Sequence, residues 1–262
     1  MITLGTQYHS QGLEKESIHK WLYMTNKACA FFSGGKDSTY ALHKAYDNGL
    51  EISCIISIRP MRKDSYMFHY PMVELTKLQT ESMGFSDFHY IVDVSGEKEK
   101  EINEILNELL KIKENDGIEF NTLILGGIAS KYQYNRFKKI AEKLNSSIFD
   151  PQWGEDTEKY LYELVDYGIV FILSQITTYG LSEEYLGIAS DKSFVSKIMN
   201  LSKRYGFHPA FEGGEAETFV VKAPLFKKDI CIEGSKVKTN EFEYSLNVKK
   251  AELCNKFKIK IL

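Results

Sequence analysis

The chain has 262 residues and a formal net charge of -3, and 43% of its residues are hydrophobic. A chain of this length and apolar content can bury the core of one or two domains, and its slight acidity argues against bulk nucleic-acid binding. The cysteines, Cys29, Cys54, Cys231 and Cys254, form no CxxC pair. We therefore expect buried, reduced thiols rather than a metal site or a disulfide framework.

The N-terminal residues carry no targeting signal that we recognise. No apolar run approaches the roughly 20 residues needed to cross a bilayer, and the first residues lack the apolar centre of a signal peptide. We expect a cytoplasmic protein that makes no membrane contact. Residues 1–23 are mostly polar and show no sustained period, so we interpret them as a weakly packed N-terminal extension.

From residue 24 onward, short apolar runs alternate with longer amphipathic segments. Strands are predicted at 28–32, 52–58, 89–94 and 122–125, and helices at 36–48, 72–83, 97–113 and 130–144. Strands that are buried on both faces and alternate with helices are typical of a parallel sheet with right-handed crossovers. The pattern predicts an α/β fold.

The alternation changes at a turn-forming stretch, Asp150-Pro151-Gln152-Trp153-Gly154, which predicts a domain boundary. Beyond it we predict helices at 157–167 and 192–205 and strands at 169–173, 219–221, 229–232 and 244–248. We interpret residues 24–150 as one domain. Residues 151–262 are interpreted as a smaller α+β domain that packs against the carboxyl ends of the first sheet.

A glycine-containing loop, Ser33-Gly34-Gly35-Lys36-Asp37-Ser38, lies directly between the first predicted strand and the first predicted helix. The glycines permit positive φ and close approach of amide groups, and the following helix directs its positive end at an anion. The serine hydroxyls and Lys36 could contact phosphate oxygens, whereas Asp37 suits a magnesium ion carried by a nucleotide. The spacing fits neither a Walker A loop nor a dinucleotide fingerprint. A plain turn with a serine N-cap is the structural alternative.

This loop resembles the PP-motif of the ATP pyrophosphatase superfamily, whose members cleave ATP between the α and β phosphates. The resemblance implies a PP-loop (HUP-like, adenine nucleotide alpha hydrolase type) fold with an open, five-stranded parallel sheet and helices on both faces. It further implies transfer of AMP to the substrate and release of pyrophosphate, with ATP and Mg²⁺ as cofactors. Under this interpretation residues 24–150 bind ATP and residues 151–262 bind the substrate.

A second sequence motif indicates one family within the superfamily. Residues 212–220, Glu-Gly-Gly-Glu-Ala-Glu-Thr-Phe-Val, precede Ala223-Pro224-Leu225-Phe226. They resemble the signature of diphthine ammonia ligases, and segments 65–69, 127–133, 151–153 and 185–187 agree in the same order. The chain departs from the usual residues at four positions: Ala216 for Tyr, Gln152 for Leu, Lys131 for Asp and Phe211 for Gly.

The resemblance implies conversion of diphthine, a modified histidine on translation elongation factor 2, to diphthamide with ATP and ammonium. Activation as an acyl-adenylate gives the carboxylate a leaving group that ammonia can displace. The candidate catalytic residues are Lys36, Asp37, Glu215 and Glu217. The candidate cofactor-binding residues are Ser33, Gly34, Gly35, Lys36, Asp37, Ser38, Ser57, His69 and Gly127, with Asp37 also the metal ligand. The candidate substrate-binding residues are Tyr132, Gln133, Arg136, Glu212, Glu215, Glu217 and Thr218.

Structural and functional alternatives stay open at this point. The glutamates could form a solvated acidic loop, His69 could be a half-buried histidine, and Arg136 could be a surface charge. Another PP-loop ATP pyrophosphatase, a tRNA-modifying or small-molecule amidotransferase, would use the same phosphate loop, as would a non-catalytic nucleotide-binding module. The oligomeric state is open, with a homodimer as one option.

Overall fold

The computed structural model describes residues 26–61, 72–97, 100–127 and 131–261, without the side chains of Tyr132 and Gln133. The N-terminal half contains five strands in the order β3-β2-β1-β4-β5, and all their pairings are parallel. The strands are β1 (Lys27–Phe31), β2 (Glu51–Pro60), β3 (His89–Val94), β4 (Thr122–Ile124) and β5 (Ser147–Phe149). The predicted five-stranded parallel sheet is confirmed. Strand β5 was not predicted because none of its 3 residues is fully buried, whereas the equally short β4 is buried throughout.

Four helices cover both faces of this sheet, namely α1 (Lys36–Asp47), α2 (Thr76–Met83), α3 (Lys100–Asn115) and α4 (Lys131–Lys143). Ala28 and Ala30 of β1 pack in the same cluster as residues of α1 and α2. The alternate residues Cys29 and Phe31 pack with residues of α3 and α4. Burial of successive side chains on opposite faces explains why β1 is apolar from Ala28 to Phe31.

The C-terminal half forms a second five-stranded sheet in the order β10-β8-β9-β6-β7. Its strands are β6 (Val170–Ile176), β7 (Ala216–Lys222), β8 (Asp229–Asn240), β9 (Glu243–Cys254) and β10 (Ile259–Ile261), and its helices are α5 (Thr157–Asp166) and α6 (Lys192–Tyr205). Both helices share one apolar cluster with β6 and β7. The predicted α+β character is confirmed. No helix in the described ranges combines the length and apolar character that crossing a bilayer requires.

The cysteines correct one expectation. Cys29 and Cys54 are free and fully buried, as predicted, but Cys231 and Cys254 form a disulfide with a Cα–Cα distance of 6.0 Å. The long β8–β9 pairing places Cys231 opposite Glu252 and Cys254 opposite Asp229, so the cysteines are diagonal neighbours on one face. A separation of 23 residues conceals this proximity because the sequence predicts only short pieces of both strands.

His43 connects helix α1 to the C-terminal half. Its Nε2 accepts the Leu225 amide hydrogen at 3.2 Å, so its Nδ1–H donates to the Thr39 carbonyl at 2.8 Å. The side chain is fully buried, and burial lowers the pKa of His43 to about 4 from its usual 6.5. Both ring nitrogens are therefore used only when the imidazole is neutral.

We expect acid to destabilise the fold through His43. Because the pKa is lower in the folded state, the stabilisation is complete above pH 6.5 and is lost as the pH falls toward 4. The loss amounts to about 3 kcal/mol in the free energy of unfolding. Urea denaturation between pH 7.5 and 4 measures it, and His43→Gln should flatten this dependence. The remaining slope belongs in part to His89, whose pKa burial also lowers to about 4. An unchanged slope in His43→Gln would contradict the assignment.

Candidate active site

The candidate site lies where the strand order of the first sheet reverses. Strand β1 is central, with β2 and β3 on one side and β4 and β5 on the other, so the connections after β1 and β4 diverge and leave a crevice. The 33–38 loop follows β1, and Gly126 follows β4. A Cβ on Gly126 would lie 2.5 Å from the carbonyl carbon and oxygen of Asp37. Only glycine therefore permits this close approach to the start of α1.

The loop itself has the backbone that the glycines predict. Gly34 has a φ of 77°. The N-cap of α1 is Gly35, so no side chain caps the helix. The serine N-cap of the alternative interpretation is not formed. Instead, the Ser38 hydroxyl accepts the Ser33 amide hydrogen at 3.2 Å, and the two hydroxyl oxygens are 3.1 Å apart. The amides of the first helical turn have no intrahelical acceptor, which suits an anion.

Lys36 is buried and forms an ion pair with the half-buried Asp37. The Lys36 side chain is 2% exposed, and its Nζ donates to Asp37 Oδ2 at 2.8 Å and to the Ala210 carbonyl at 2.7 Å. The other Asp37 oxygen accepts the Tyr160 hydroxyl at 2.8 Å. Lys36 Nζ also lies 5.6 Å from the ring centroid of Phe211. Lys36 thus points into the C-terminal half, and its contact with phosphate stays a prediction.

Strand β7 and Gln79 hold the phosphate loop from the opposite side. The Val220 amide donates to the Gly34 carbonyl at 3.0 Å. Gln79, fully buried on α2, donates from Nε2 to the Gly34 carbonyl at 2.9 Å and to the Val220 carbonyl at 2.8 Å. A Cβ on Gly34 would lie only 2.3 Å from Gln79 Oε1. Gln79 therefore positions the loop, although in the sequence it is one polar residue in an amphipathic helix.

Removing the Gln79 amide should weaken the use of ATP. Gln79→Leu leaves two buried carbonyls without this donor, which we expect to cost about 2 kcal/mol, or roughly thirtyfold in kcat/KM for ATP. Steady-state kinetics with ATP as the varied substrate measures the effect. Glu81→Ala, an exposed position on the same helix, is the matched control. Equal kcat/KM in Gln79→Leu and wild type would show that the amide does not position the loop.

The predicted glutamates occupy different environments. Glu215 Oε1 accepts the His208 amide hydrogen at 2.8 Å, and its Oε2 accepts the Gly213 amide hydrogen at 2.9 Å, so this carboxylate shapes its own loop. Glu217 and Thr218 lie within β7 rather than on a glycine-hinged loop. Thr218 Oγ1 accepts the Lys36 amide hydrogen at 3.1 Å. Glu212 is half-buried beside Phe211, whose φ of 67° is left-handed although the residue is not glycine.

Asp150 is a site residue that the sequence analysis did not select. It follows β5, and its Oδ1 accepts the Gly127 amide hydrogen at 3.3 Å. Burial, helped by the negative charges of Glu212 and Asp37 and opposed by the Gly127 hydrogen bond, raises the pKa of Asp150 to about 7. The only sequence signal was its place in the turn 150–154, which we interpreted as a domain boundary.

The remaining predicted residues are less directly placed. Ser57 is fully buried inside β2, where its hydroxyl donates to the Phe32 carbonyl at 2.7 Å and lies 2.8 Å from His89 Nε2. Its side chain therefore joins neighbouring strands. Arg136 is half-buried on α4. His69 and the side chains of Tyr132 and Gln133 lie outside the described residues, so their roles stay predictions.

The predicted magnesium site depends on Asp37 alone. Within the described ranges, no group of three or more histidine, cysteine or acidic side chains could hold a metal ion. Both Asp37 oxygens already accept hydrogen bonds, from Lys36 and Tyr160. The residues fit Mg²⁺ only as an ion held chiefly by nucleotide phosphates, with Asp37 supplying one further oxygen.

Two family models match this chain, one for each half. The diphthamide synthase N-terminal domain matches residues 26–146, and the diphthamide synthase C-terminal domain matches residues 156–254. The chain belongs to the diphthamide synthase family. This membership confirms the resemblance found in the sequence, and it makes the chain a ligase of the predicted enzyme class.

Proteins that are similar in sequence to this chain match it over most of its length. Proteins named diphthine--ammonia ligase are 31% identical in Bos taurus, over 82% of this chain and 85% of the relative, and 30% identical in Homo sapiens, over 80% and 84%. The protein of that name from Schizosaccharomyces pombe is 29% identical over 80% of this chain, which spans 37% of that longer relative. A solved structure described as a predicted tRNA methyltransferase subunit from Methanocaldococcus jannaschii covers 86% of this chain and 98% of its own, at 16% identity and a TM-score of 0.35, too low to support an argument.

Proposed function

We propose that this chain amidates diphthine on translation elongation factor 2 to diphthamide, consuming ATP and ammonium and releasing AMP and pyrophosphate. The observation that carries the proposal is the contact between the phosphate loop and β7. The Val220 amide donates to the Gly34 carbonyl at 3.0 Å, and the Lys36 amide donates to Thr218 Oγ1 at 3.1 Å. These contacts join the loop that would hold ATP to the strand that carries the second family signature.

The proposed chemistry needs two arrangements in the crevice. The diphthine carboxylate must attack the α-phosphorus in line, and the charge of the departing pyrophosphate must be neutralised. We assign the second task to the Asp37 and Ser38 amides at the start of α1 and to the Lys36 side chain, with residues 24–150 binding the nucleotide. Mg²⁺, when bound through Asp37 and the phosphates, would contribute positive charge there.

The acceptor is assigned to residues 151–262. Glu212, Glu215 and Glu217 are the candidates for attracting the quaternary ammonium of diphthine, and both carboxylate oxygens of Glu215 accept hydrogen bonds from backbone amides. Thr218 would couple the position of strand β7 to that of the phosphate loop, because its Oγ1 accepts the Lys36 amide hydrogen. We place the reaction in the cytoplasm because its proposed substrate is a translation factor.

Incubation with ATP, Mg²⁺, ammonium and diphthine-bearing elongation factor 2 tests the proposal. We expect AMP and pyrophosphate in equal amounts, together with a carboxamide on the modified histidine by mass spectrometry of the digested factor. Elongation factor without diphthine is the control and should yield neither product. AMP formation that requires RNA would favour a tRNA-modifying enzyme. ATP binding without any turnover would favour a non-catalytic module.

A further inference from the structure

A pair of tyrosines packs helix α5, from the C-terminal half, against helix α1, which follows the phosphate loop. Tyr160 on α5 is 1% exposed, and its ring meets that of Tyr40 on α1 edge to face, with the ring centroids 5.4 Å apart. The Tyr40 hydroxyl donates to Glu163 Oε1 on α5 at 2.5 Å. Packing and hydrogen bonding between the two helices therefore hold the Tyr160 ring in one position.

The segment at the start of α5 restrains Asp37 at two points. The Tyr160 hydroxyl donates to Asp37 Oδ1 at 2.8 Å, and Gln152 Nε2 donates to the Asp37 carbonyl at 3.1 Å. Gln152 is as deeply buried as Tyr160, at 1% exposed. An ionised carboxylate can only accept hydrogen bonds, so the phenol is the donor. One short segment of the C-terminal half thus holds both the side chain and the main chain of Asp37.

The Asp37 carboxylate accepts one hydrogen bond on each oxygen. Tyr160 occupies Oδ1, and Lys36 Nζ occupies Oδ2 at 2.8 Å. A carboxylate offers about four lone pairs, so each oxygen keeps a lone pair for a ligand. The Asp37 side chain is 22% exposed, which gives a ligand access to it. Donors on both oxygens also resist rotation of the carboxylate, so the lone pairs that remain keep a fixed direction.

We propose that Tyr160 is a positioning residue, which holds the Asp37 carboxylate in the orientation that receives the magnesium ion of the nucleotide. The inference rests on the proposed function, because that function assigns Asp37 as a ligand of the magnesium carried by ATP. Without the phenol hydroxyl, Lys36 would be the remaining side-chain donor to the carboxylate. The carboxylate could then turn both oxygens toward the ammonium group, and its preorganisation for the metal would be lost.

The variant Tyr160→Phe tests the proposal, because phenylalanine lacks the hydroxyl but keeps the ring that packs against Tyr40. Calorimetry with α,β-methylene-ATP, which resists cleavage between the α and β phosphates, gives the affinity for this nucleotide in Mg²⁺ and in EDTA. We expect the ratio of the two affinities to fall about tenfold in Tyr160→Phe, the lower limit for loss of a hydrogen bond to a charged group. A role confined to folding would lower the melting temperature and leave this ratio unchanged.

Two further variants are the controls. Tyr167→Phe removes a hydroxyl that donates to Asp47 Oδ2 at 2.6 Å, at the opposite end of α1, and it should leave the ratio unchanged. In the Asp37→Asn background, Tyr160→Phe should cause no additional fall in the ratio. A residue that acts through the Asp37 carboxylate has no further effect on metal binding once that carboxylate is lost.

The possible outcomes have distinct meanings. An unchanged ratio in folded Tyr160→Phe overturns the proposal. A raised ratio also overturns it, since the hydroxyl would then compete with Mg²⁺ for Asp37 Oδ1. A further fall in the Asp37→Asn background would show that Tyr160 does not act through Asp37. The calorimetry contains no elongation factor, so a wild type that fails to amidate diphthine would refute the proposed function and leave this test intact.

Discussion

Replacing Asp37 by asparagine is expected to lower pyrophosphate release at saturating ATP by at least about a hundredfold. The carboxylate balances the charge of Lys36, which is 2% exposed, and it accepts the Tyr160 hydroxyl. Asparagine keeps the shape but removes the negative charge, so Lys36 loses its ionic partner and a bound magnesium ion loses a ligand. Loss of the ionic partner of the buried Lys36 ammonium group also destabilises the fold, and we expect a lower melting temperature.

Two further variants separate activity from folding. Asp47→Asn changes the other end of α1, where the carboxylate likewise accepts a tyrosine hydroxyl, from Tyr167 at 2.6 Å. This exposed position should leave pyrophosphate release unchanged. Asp37→Glu keeps the charge but displaces it, so it should retain the fold and still lose most activity. Near-normal pyrophosphate release by folded Asp37→Asn would remove Asp37 from the mechanism.

Gly126→Ala is expected to disrupt the join between β4 and α1. Its Cβ would lie 2.5 Å from the Asp37 carbonyl atoms and 2.6 Å from the Ser38 nitrogen, and none of these backbone atoms can move independently. Overpacking against backbone should cost about 3 kcal/mol, which would lower the melting temperature by roughly 6–12 °C. Differential scanning calorimetry measures this loss.

The adjacent glycine provides a matched control. A Cβ on Gly127 would meet its nearest atom, Asp150 Oδ2, at an ordinary 3.8 Å. Gly127→Ala should therefore change the melting temperature by no more than about 4 °C. Similar losses in both variants would show that backbone flexibility, rather than close packing, explains the glycine at position 126.

The fold was predictable wherever burial leaves a local pattern. Strand β1 is apolar from Ala28 to Phe31 because its alternate residues enter two different clusters. Strands β5 and β10 have 3 residues each and none that is fully buried, so they leave no local pattern, whereas the equally short β4 is buried throughout and was predicted. The β8–β9 hairpin extends through exposed polar residues, which carry no apolar signal, and the disulfide within it was missed for the same reason.

In the candidate site, too, the features formed by residues adjacent in sequence were predictable, and those formed by distant residues were not. The 33–38 loop was predictable because its glycines and the following helix are consecutive. Gln79 and Tyr160 were not, since they reach the loop across 45 and 123 residues of chain. Glu215, an acidic residue in a glycine-rich stretch, was predicted to bind a ligand. Its hydrogen bonds to the amides of His208 and Gly213 depend instead on a loop conformation that the sequence pattern does not specify.

The hydrogen bond from the Lys36 amide to Thr218 spans 182 residues of sequence. If the first half of this chain were fused to an unrelated domain, the phosphate loop would lose the contact with strand β7 that supports it. A chimera between relatives should therefore keep the phosphate loop and strand β7 from the same parent. Substitutions on one side of this contact should be accompanied by compensating substitutions on the other side.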